Sequence, residues 1–272
     1  MAVTMAEISK LRTMTGAGMM DCKNALIESN GDFEKAIEII RKKGQAVAAK
    51  RSDREASEGC VLAASKDGFA AIIALKCETD FVAKNADFIA LTQSILDAAI
   101  ANKSKSLDQV NSLIIDGRSI ADLVVDRSGI TGEKMELDFY EYVEAASSIQ
   151  YIHPGNKLAT IVAFAQTGVE YQVARDVAMQ VAAMNPVSLD REAVPEKIIN
   201  QELEIGREKA REEGKPEAML DRIAQGRLNK FFQESTLLEQ DFIKDSKTTV
   251  SAYLKANNAT VTAFKRVTLN QE

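Results

Sequence analysis

Few residues in this chain could make or break a covalent bond. There is one histidine, His153, which excludes a His-rich metal centre and paired-histidine acid–base chemistry. His153 could serve as a lone general base, but it stands beside Pro154-Gly155 at a turn, where a surface contact or a turn role fits better. Cys22, Cys60 and Cys77 are an odd set without a Cys-x-x-Cys spacing, as expected of reduced thiols in a cytoplasm. No phosphate-binding glycine loop or nucleophile elbow occurs. Carboxylates are plentiful, yet no pair stands out from the helical charge pattern. The residues therefore predict no enzyme, no catalytic or metal-binding group and no cofactor.

What remains is recognition by shape, and it centres on the run Cys-Glu-Thr-Asp-Phe-Val-Ala-Lys-Asn at 77–85. An apolar run, Phe69 to Leu75, ends just before it and a helical pattern starts just after. Asp80 and Phe81 thus stand at a strand-to-helix joint, held by rigid elements on both sides and facing outward. A ring presented in this way can wedge into a partner. It can also plug the local core, and spacing alone leaves both roles open. Thr79 and Asn85 are both candidate N-caps for the helical segment after the joint.

The positioning elements read as an α+β protein. At 272 residues, 46% hydrophobic and 27% charged, the chain can bury a substantial core plus a smaller unit. No apolar stretch could span a bilayer, and the N-terminus Met-Ala-Val-Thr-Met-Ala-Glu-Ile has no secretory pattern, so a cytoplasmic location is expected. The net charge of −6 speaks against binding nucleic acid by bulk electrostatics. The basic stretch Arg41 to Arg54 reads as a solvated helix end and linker.

Residues 1–54 form a bundle of three short helices and a linker. The apolar set Ile8, Leu11, Ala17, Met20, Cys22, Ala25, Leu26, Ala36, Ile37 and Ile40 is punctuated by Thr15-Gly16-Ala17-Gly18 and Asn30-Gly31-Asp32. The glycine turn brings Met19 and Met20 to its edge, one for contact and one for core filling. Residues 44–57 read as a tether, helical at its start. Residues 55–144 form a first core subdomain: a hairpin of Gly59–Ser65 and Phe69–Cys77 about Lys66-Asp67-Gly68, a helix to about Ile100, a turn at Ser128–Gly132 and a strand at Lys134–Val143.

Residues 145–194 begin a second, related subdomain. A shift of 88 places Ala71, Ile73, Thr79, Ala86 and Ala90 on Ala159, Ile161, Thr167, Ala174 and Ala178. Hairpin, turn and helix recur, the last with Val173, Val177, Val181 and Met184 on one face. Asp80-Phe81 falls on Gly168-Val169, so a shared framework does not require Asp-Phe at the joint. Residues 195–234 form an inserted antiparallel helical hairpin, its arms opened by Pro195 and Pro216 and each roughly 27 to 29 Å long. Residues 235–272 complete the second subdomain with a helix at Ser246–Ala256 and a strand at Val261–Leu269.

Four motifs carry a resemblance. They are Lys10-Leu11-Arg12 with Thr15-Gly16-Ala17-Gly18-Met19-Met20-Asp21-Cys22-Lys23; Asn30-Gly31-Asp32 with Ala36-Ile37; Thr79-Asp80-Phe81-Val82-Ala83-Lys84; and Gly226-Arg227 through Phe231 with Gln240, Phe242 and Lys244. Together the chain resembles the bacterial elongation factor Ts family, nucleotide exchange factors for elongation factor Tu. The resemblance implies a ubiquitin-associated-like (UBA-like) bundle, two related subdomains with antiparallel sheets, and an inserted coiled coil. It implies that the factor binds the GDP-bound GTPase, displaces Mg²⁺ and promotes GDP release so that GTP can bind.

By position, Arg12, Met19, Met20 and Lys23 would dock on the GTPase domain, and Thr79, Asp80, Phe81 and Val82 would displace the ion. Gly132, in Thr131-Gly132-Glu133, matches a family contact loop. His153 matches a Tyr-x-His-x-Gly contact, although Pro154 and Lys157 depart from the commoner small and Arg residues. Some members carry a further helical module beyond the last strand, and its contact is expected to be absent here. The partner would be elongation factor Tu, with no direct nucleic acid and no membrane. A homodimer or a 2:2 complex with the GTPase stays open. The rival classes are a ubiquitin-like or nucleic-acid adaptor built on the bundle, and a small-molecule enzyme built on His153.

Overall fold

Thr4 opens the first helix. Its side chain takes the Glu7 N–H while the Glu7 carboxylate returns to the Thr4 N–H at 2.8 Å, a capping box that closes two otherwise unpaired backbone donors. The computed structural model describes residues 3–270. Helices α1 (Met5–Thr15), α2 (Met19–Glu28) and α3 (Phe33–Lys50) bury Ile8, Leu11, Cys22, Ala25, Leu26 and Ala36 against one another. Met19 and Met20 are both exposed, at 40% and 65%. Neither fills the core, because Ala17, Cys22 and Leu26 already occupy it. The expected tether is shorter than predicted: α3 runs on to Lys50, carried by Ala46, Ala48 and Ala49, which are strong helix formers.

The hairpin is made by β1 (Glu58–Lys66) and β2 (Phe69–Cys77), with Asp67 and Gly68 both at positive φ, the geometry a two-residue turn needs. Next come α4 (Asp80–Ala83), α5 (Ala86–Ala101), α6 (Leu107–Ser112), the short pair β3 (Ile114–Ile115) and β4 (Arg118–Ser119), α7 (Ile120–Thr131) and β5 (Glu136–Glu144). A three-stranded sheet has the order β1–β2–β5.

The expected turn at Ser128–Gly132 is a correction: Ser128 lies inside α7, which ends at Gly132. Ser119 caps this helix, and Ile120, Val124 and Ser128 face inward at a spacing of four. A buried serine gives no sequence signal for helix; its hydroxyl is satisfied by donating to the Glu133 carbonyl.

The chain divides into two compact units. One comprises the residues up to Leu62, Ile73–Tyr140 and the end of the chain from Leu269; the other comprises Ala63–Ile72 and Glu141–Thr268. In the second unit β6 (Ser147–Ile152) and β7 (Leu158–Phe164) form the second hairpin, followed by α8 (Tyr171–Met184). The hairpin–turn–helix order predicted from the 88-residue shift is present, with Val173, Val177 and Val181 buried and Met184 exposed. α9 (Glu196–Glu212) and α10 (Leu220–Ser235) pair through Arg207–Asp221 and Arg227–Glu213, and Ala210 and Ala224 are fully buried between them. β8 (Asp241–Phe242), β9 (Asp245–Thr249), α11 (Val250–Ala256) and β10 (Val261–Thr268) complete it.

Antiparallel β10–β7–β6 packs its buried face on α8, with Phe164, Val177 and Leu254 in one core. Ser246–Ala256 is helical only from Val250, because the β-branched Thr248-Thr249 pair extends β9 and Thr249 then caps α11. Among the described residues no helix is long and apolar enough to cross a membrane.

A buried polar cluster ties α8 to the chain beyond α10. The Asp176 carboxylate accepts from Lys244 Nζ at 2.6 Å, Tyr253 OH at 3.2 Å and Gln172 Nε2. Gln180 and Gln240, both buried, hydrogen-bond to each other at 3.1 Å. Tyr253 stacks on Phe242 with centroids 4.1 Å apart. Burial, reinforced by the Asp176 charge, pushes the Tyr253 phenol up from 10.0 to about 12. The neutral phenol therefore contributes stability that is complete below about pH 10 and lost as pH rises towards 12. Alkaline thermal melts should show the wild type weakening through that window and Tyr253→Phe weakening less. Equal slopes would contradict this account.

Candidate functional site

Two N-caps in succession build the joint after β2. Thr79 caps the single turn α4 through the Val82 N–H, and Asn85 caps α5 through the N–H groups of Asp87 and Phe88. The two candidate caps read from the sequence are thus both used. At the positions 88 residues further on there is no counterpart of α4: Gly168 and Val169 lie in the loop before α8. Within this turn Ala83 is buried, Val82 and Asp80 are half-buried, and Phe81 is 85% exposed. The plug role for Phe81 is thereby removed. Its ring stands in solvent at the corner of two rigid elements, an arrangement that costs free energy unless a partner covers it.

The base of the turn is held by carboxylates. Glu133 Oε2 accepts the backbone N–H groups of Glu78 and Thr79, each at 3.1 Å, and Oε1 accepts the Thr79 hydroxyl at 2.6 Å. In return, Glu78 Oε1 accepts the Lys134 N–H at 2.6 Å, and the Glu78 carboxylate also receives Arg51 Nη1 at 3.2 to 3.3 Å. Cys77 donates its thiol to the Thr79 carbonyl at 3.3 Å. Outside this base, Asp80 pairs with Lys84 at 2.6 Å, and that hydrogen bond raises the lysine pKa above its ordinary value.

Gly132 ends α7 in the left-handed region, φ 74°, which turns the chain so that Glu133 meets Thr79. The structure therefore brings Gly132 to the same place as Thr79–Val82. Sequence reading named Glu133 only as a neighbour in a loop and missed its grip on Thr79. Groups separated by 54 residues give no local signal.

Arg12, Met19, Met20 and Lys23 are exposed on α1 and α2. His153 belongs to the other unit; it is exposed, with Nδ1 3.0 Å from the Tyr151 hydroxyl, and Arg175 lies over the Tyr151 ring. Among the described residues no group of three His, Cys, Asp or Glu side chains could hold a metal ion.

A family model described as elongation factor TS matches residues 78–271. Proteins named elongation factor Ts are similar along the whole chain, with 100% of both sequences covered. One from Porphyromonas gingivalis is 65% identical over 275 residues, one from Azobacteroides pseudotrichonymphae 57% over 274, and one from Phocaeicola vulgatus 49% over 331. The matched span includes the exposed Phe81 turn, its Glu133 support and the Asp176 cluster, and on this likeness the chain belongs to the elongation factor Ts family.

Proposed function

We propose that this protein is the guanine nucleotide exchange factor of elongation factor Tu, acting in the cytoplasm without covalent chemistry of its own. The supporting observation is the Phe81 ring, 85% exposed on a capped single turn that the related half of the chain lacks. Mg²⁺ in a GTPase needs near-ideal octahedral oxygen ligation and bridges nucleotide to protein, so a small displacement of its holders weakens both together. Phe81 enters between side chains of the GTPase domain, and Asp80, which exchanges Lys84 for a partner group, anchors the approach. Thr79 and Val82 shape the turn. The coupling is reciprocal: the factor lowers affinity for GDP by the same ratio by which GDP lowers affinity for the factor.

In this reading residues 1–54 are a UBA-like docking bundle and linker, with Arg12, Met19, Met20 and Lys23 as its contact face. Residues 55–144 and 145–194 with 235–272 are the two core subdomains, contributing Gly132 and His153 to the contact. Residues 195–234 are an inserted coiled coil.

The test is release of mant-GDP from elongation factor Tu by stopped flow. Burial of a ring of this size stabilises by roughly 1.5 to 3 kcal/mol, so Phe81→Ala should slow release at saturating factor by about 10- to 100-fold. Unchanged maximal release would remove the wedge. A weaker complex with normal maximal release would make Phe81 an affinity residue only.

A further inference from the structure

The turn that carries Phe81 is not self-supporting. α4 has four residues, and an isolated turn of this length does not hold its shape in water. Its N-cap Thr79 and the preceding Glu78 are fixed from outside, by three hydrogen bonds to one carboxylate 54 and 55 residues away. The support is reciprocal: Glu133 takes the N–H groups of Glu78 and Thr79, while Glu78 takes the N–H of Lys134. Arg51, at the end of α3, neutralises Glu78 across 3.2 Å, so that two carboxylates can face the same junction without mutual repulsion. Thr79 connects this lock to the turn, because its hydroxyl donates to Glu133 and accepts the Val82 N–H.

We propose that Glu133 is a positioning residue for exchange: its carboxylate holds residues 78–82 in the one form that presents Phe81. This rests on the reading of Phe81 as the prong. Without the lock the turn samples other backbone forms, and only a fraction of molecules carries the ring in the competent position.

Two side chains, Glu133 and Phe81, are varied alone and combined, in the full-length protein. Backbone amide hydrogen exchange at Glu78 and Thr79 reads the lock itself, and mant-GDP release from elongation factor Tu reads its consequence. Glu133→Ala should expose both amides and slow maximal release about tenfold, the scale of lost hydrogen bonds to a charged group. Glu133→Gln should recover most of both, since its amide oxygen can accept the two N–H groups while the Thr79 hydroxyl turns to accept from the NH₂. In a Phe81→Ala background, Glu133→Ala should slow release no further, because a residue that acts through Phe81 has nothing left to position.

Additive losses, retained amide protection or an unchanged release rate in Glu133→Ala would overturn the proposal. Should Glu133→Ala fail to fold, Thr79→Val removes the hydroxyl contact to Oε1 and the Val82 cap while Oε2 keeps the two amides. It should slow release in the wild type and add nothing in the Phe81→Ala background, and an unchanged rate or additive losses would overturn the proposal. If the wild-type protein does not accelerate release at all, the exchange reading fails, and amide protection alone decides whether Glu133 locks the turn.

Discussion

Gly129→Ala is expected to destabilise the protein by about 3 kcal/mol, on the order of 10 °C in Tm, whereas Gly44→Ala leaves it near neutral. The two glycines meet where α3 crosses α7. A Cβ on Gly129 would lie 2.1 Å from the Gly44 Cα and 3.0 Å from its carbonyl carbon, both rigid backbone, so the helices would have to separate. A Cβ on Gly44 would lie 3.4 Å from the Gly129 Cα, an ordinary contact. The asymmetry arises because each Cβ leans toward the N-terminus of its own helix, and only one of the two leans into the crossing. Alanine also favours helix by about 1 kcal/mol over glycine, which offsets the small crowding at position 44.

α7 ends two residues beyond Gly129, just before the Gly132 turn that delivers Glu133 to Thr79. Gly129→Ala should therefore also reduce nucleotide release, and Gly44→Ala should not. Thermal melts with circular dichroism check the first part; similar Tm losses for the two variants would contradict the crossing geometry.

Asp176→Ala is expected to cost about 3 kcal/mol. The carboxylate is buried, at 6% side-chain exposure, and satisfies Lys244, Tyr253 and Gln172 together. Its removal strips all three donors of their acceptor, but Gln172 and Lys244 are exposed and only the Tyr253 hydroxyl is partly buried. Lys244, 43% exposed, can turn to water, which keeps the loss at the lower end of the range for a broken buried pair. Asp176→Asn retains an acceptor and should cost less than half as much. In a Lys244→Met background the Asp176→Ala loss should shrink, because one stranded donor is gone. Urea unfolding of the four proteins checks this, and full additivity would show that the ion pair carries no coupling. Lys244, with Phe242 and Gln240, forms part of the motif that carried the family resemblance. In the structure these residues hold α8 to β8 and α11, so this portion of the motif is explained by packing.

Much of this was legible in the chain itself. The Asp67-Gly68 hairpin, the caps Thr79 and Asn85, the paired arms α9 and α10 and the repeat of hairpin and helix all rest on local rules. Positive φ at a turn, a side chain within three residues of an N–H, and a period of 3.6 are each visible in a short window. The same local rules placed Phe81 at a corner.

Whether that ring faces solvent or the core, whether α7 continues through Ser128, and which carboxylate supports Thr79 were decided only by tertiary structure. Burial is settled by elements distant in sequence: Phe81 is exposed because Ala83 and Phe88 already fill the inward positions, and Ser128 tolerates a helix because the Glu133 carbonyl accepts its proton. Contacts across 54 residues leave no periodic trace in a single sequence, since a glutamate that grips a loop and one that faces water are written with the same letter.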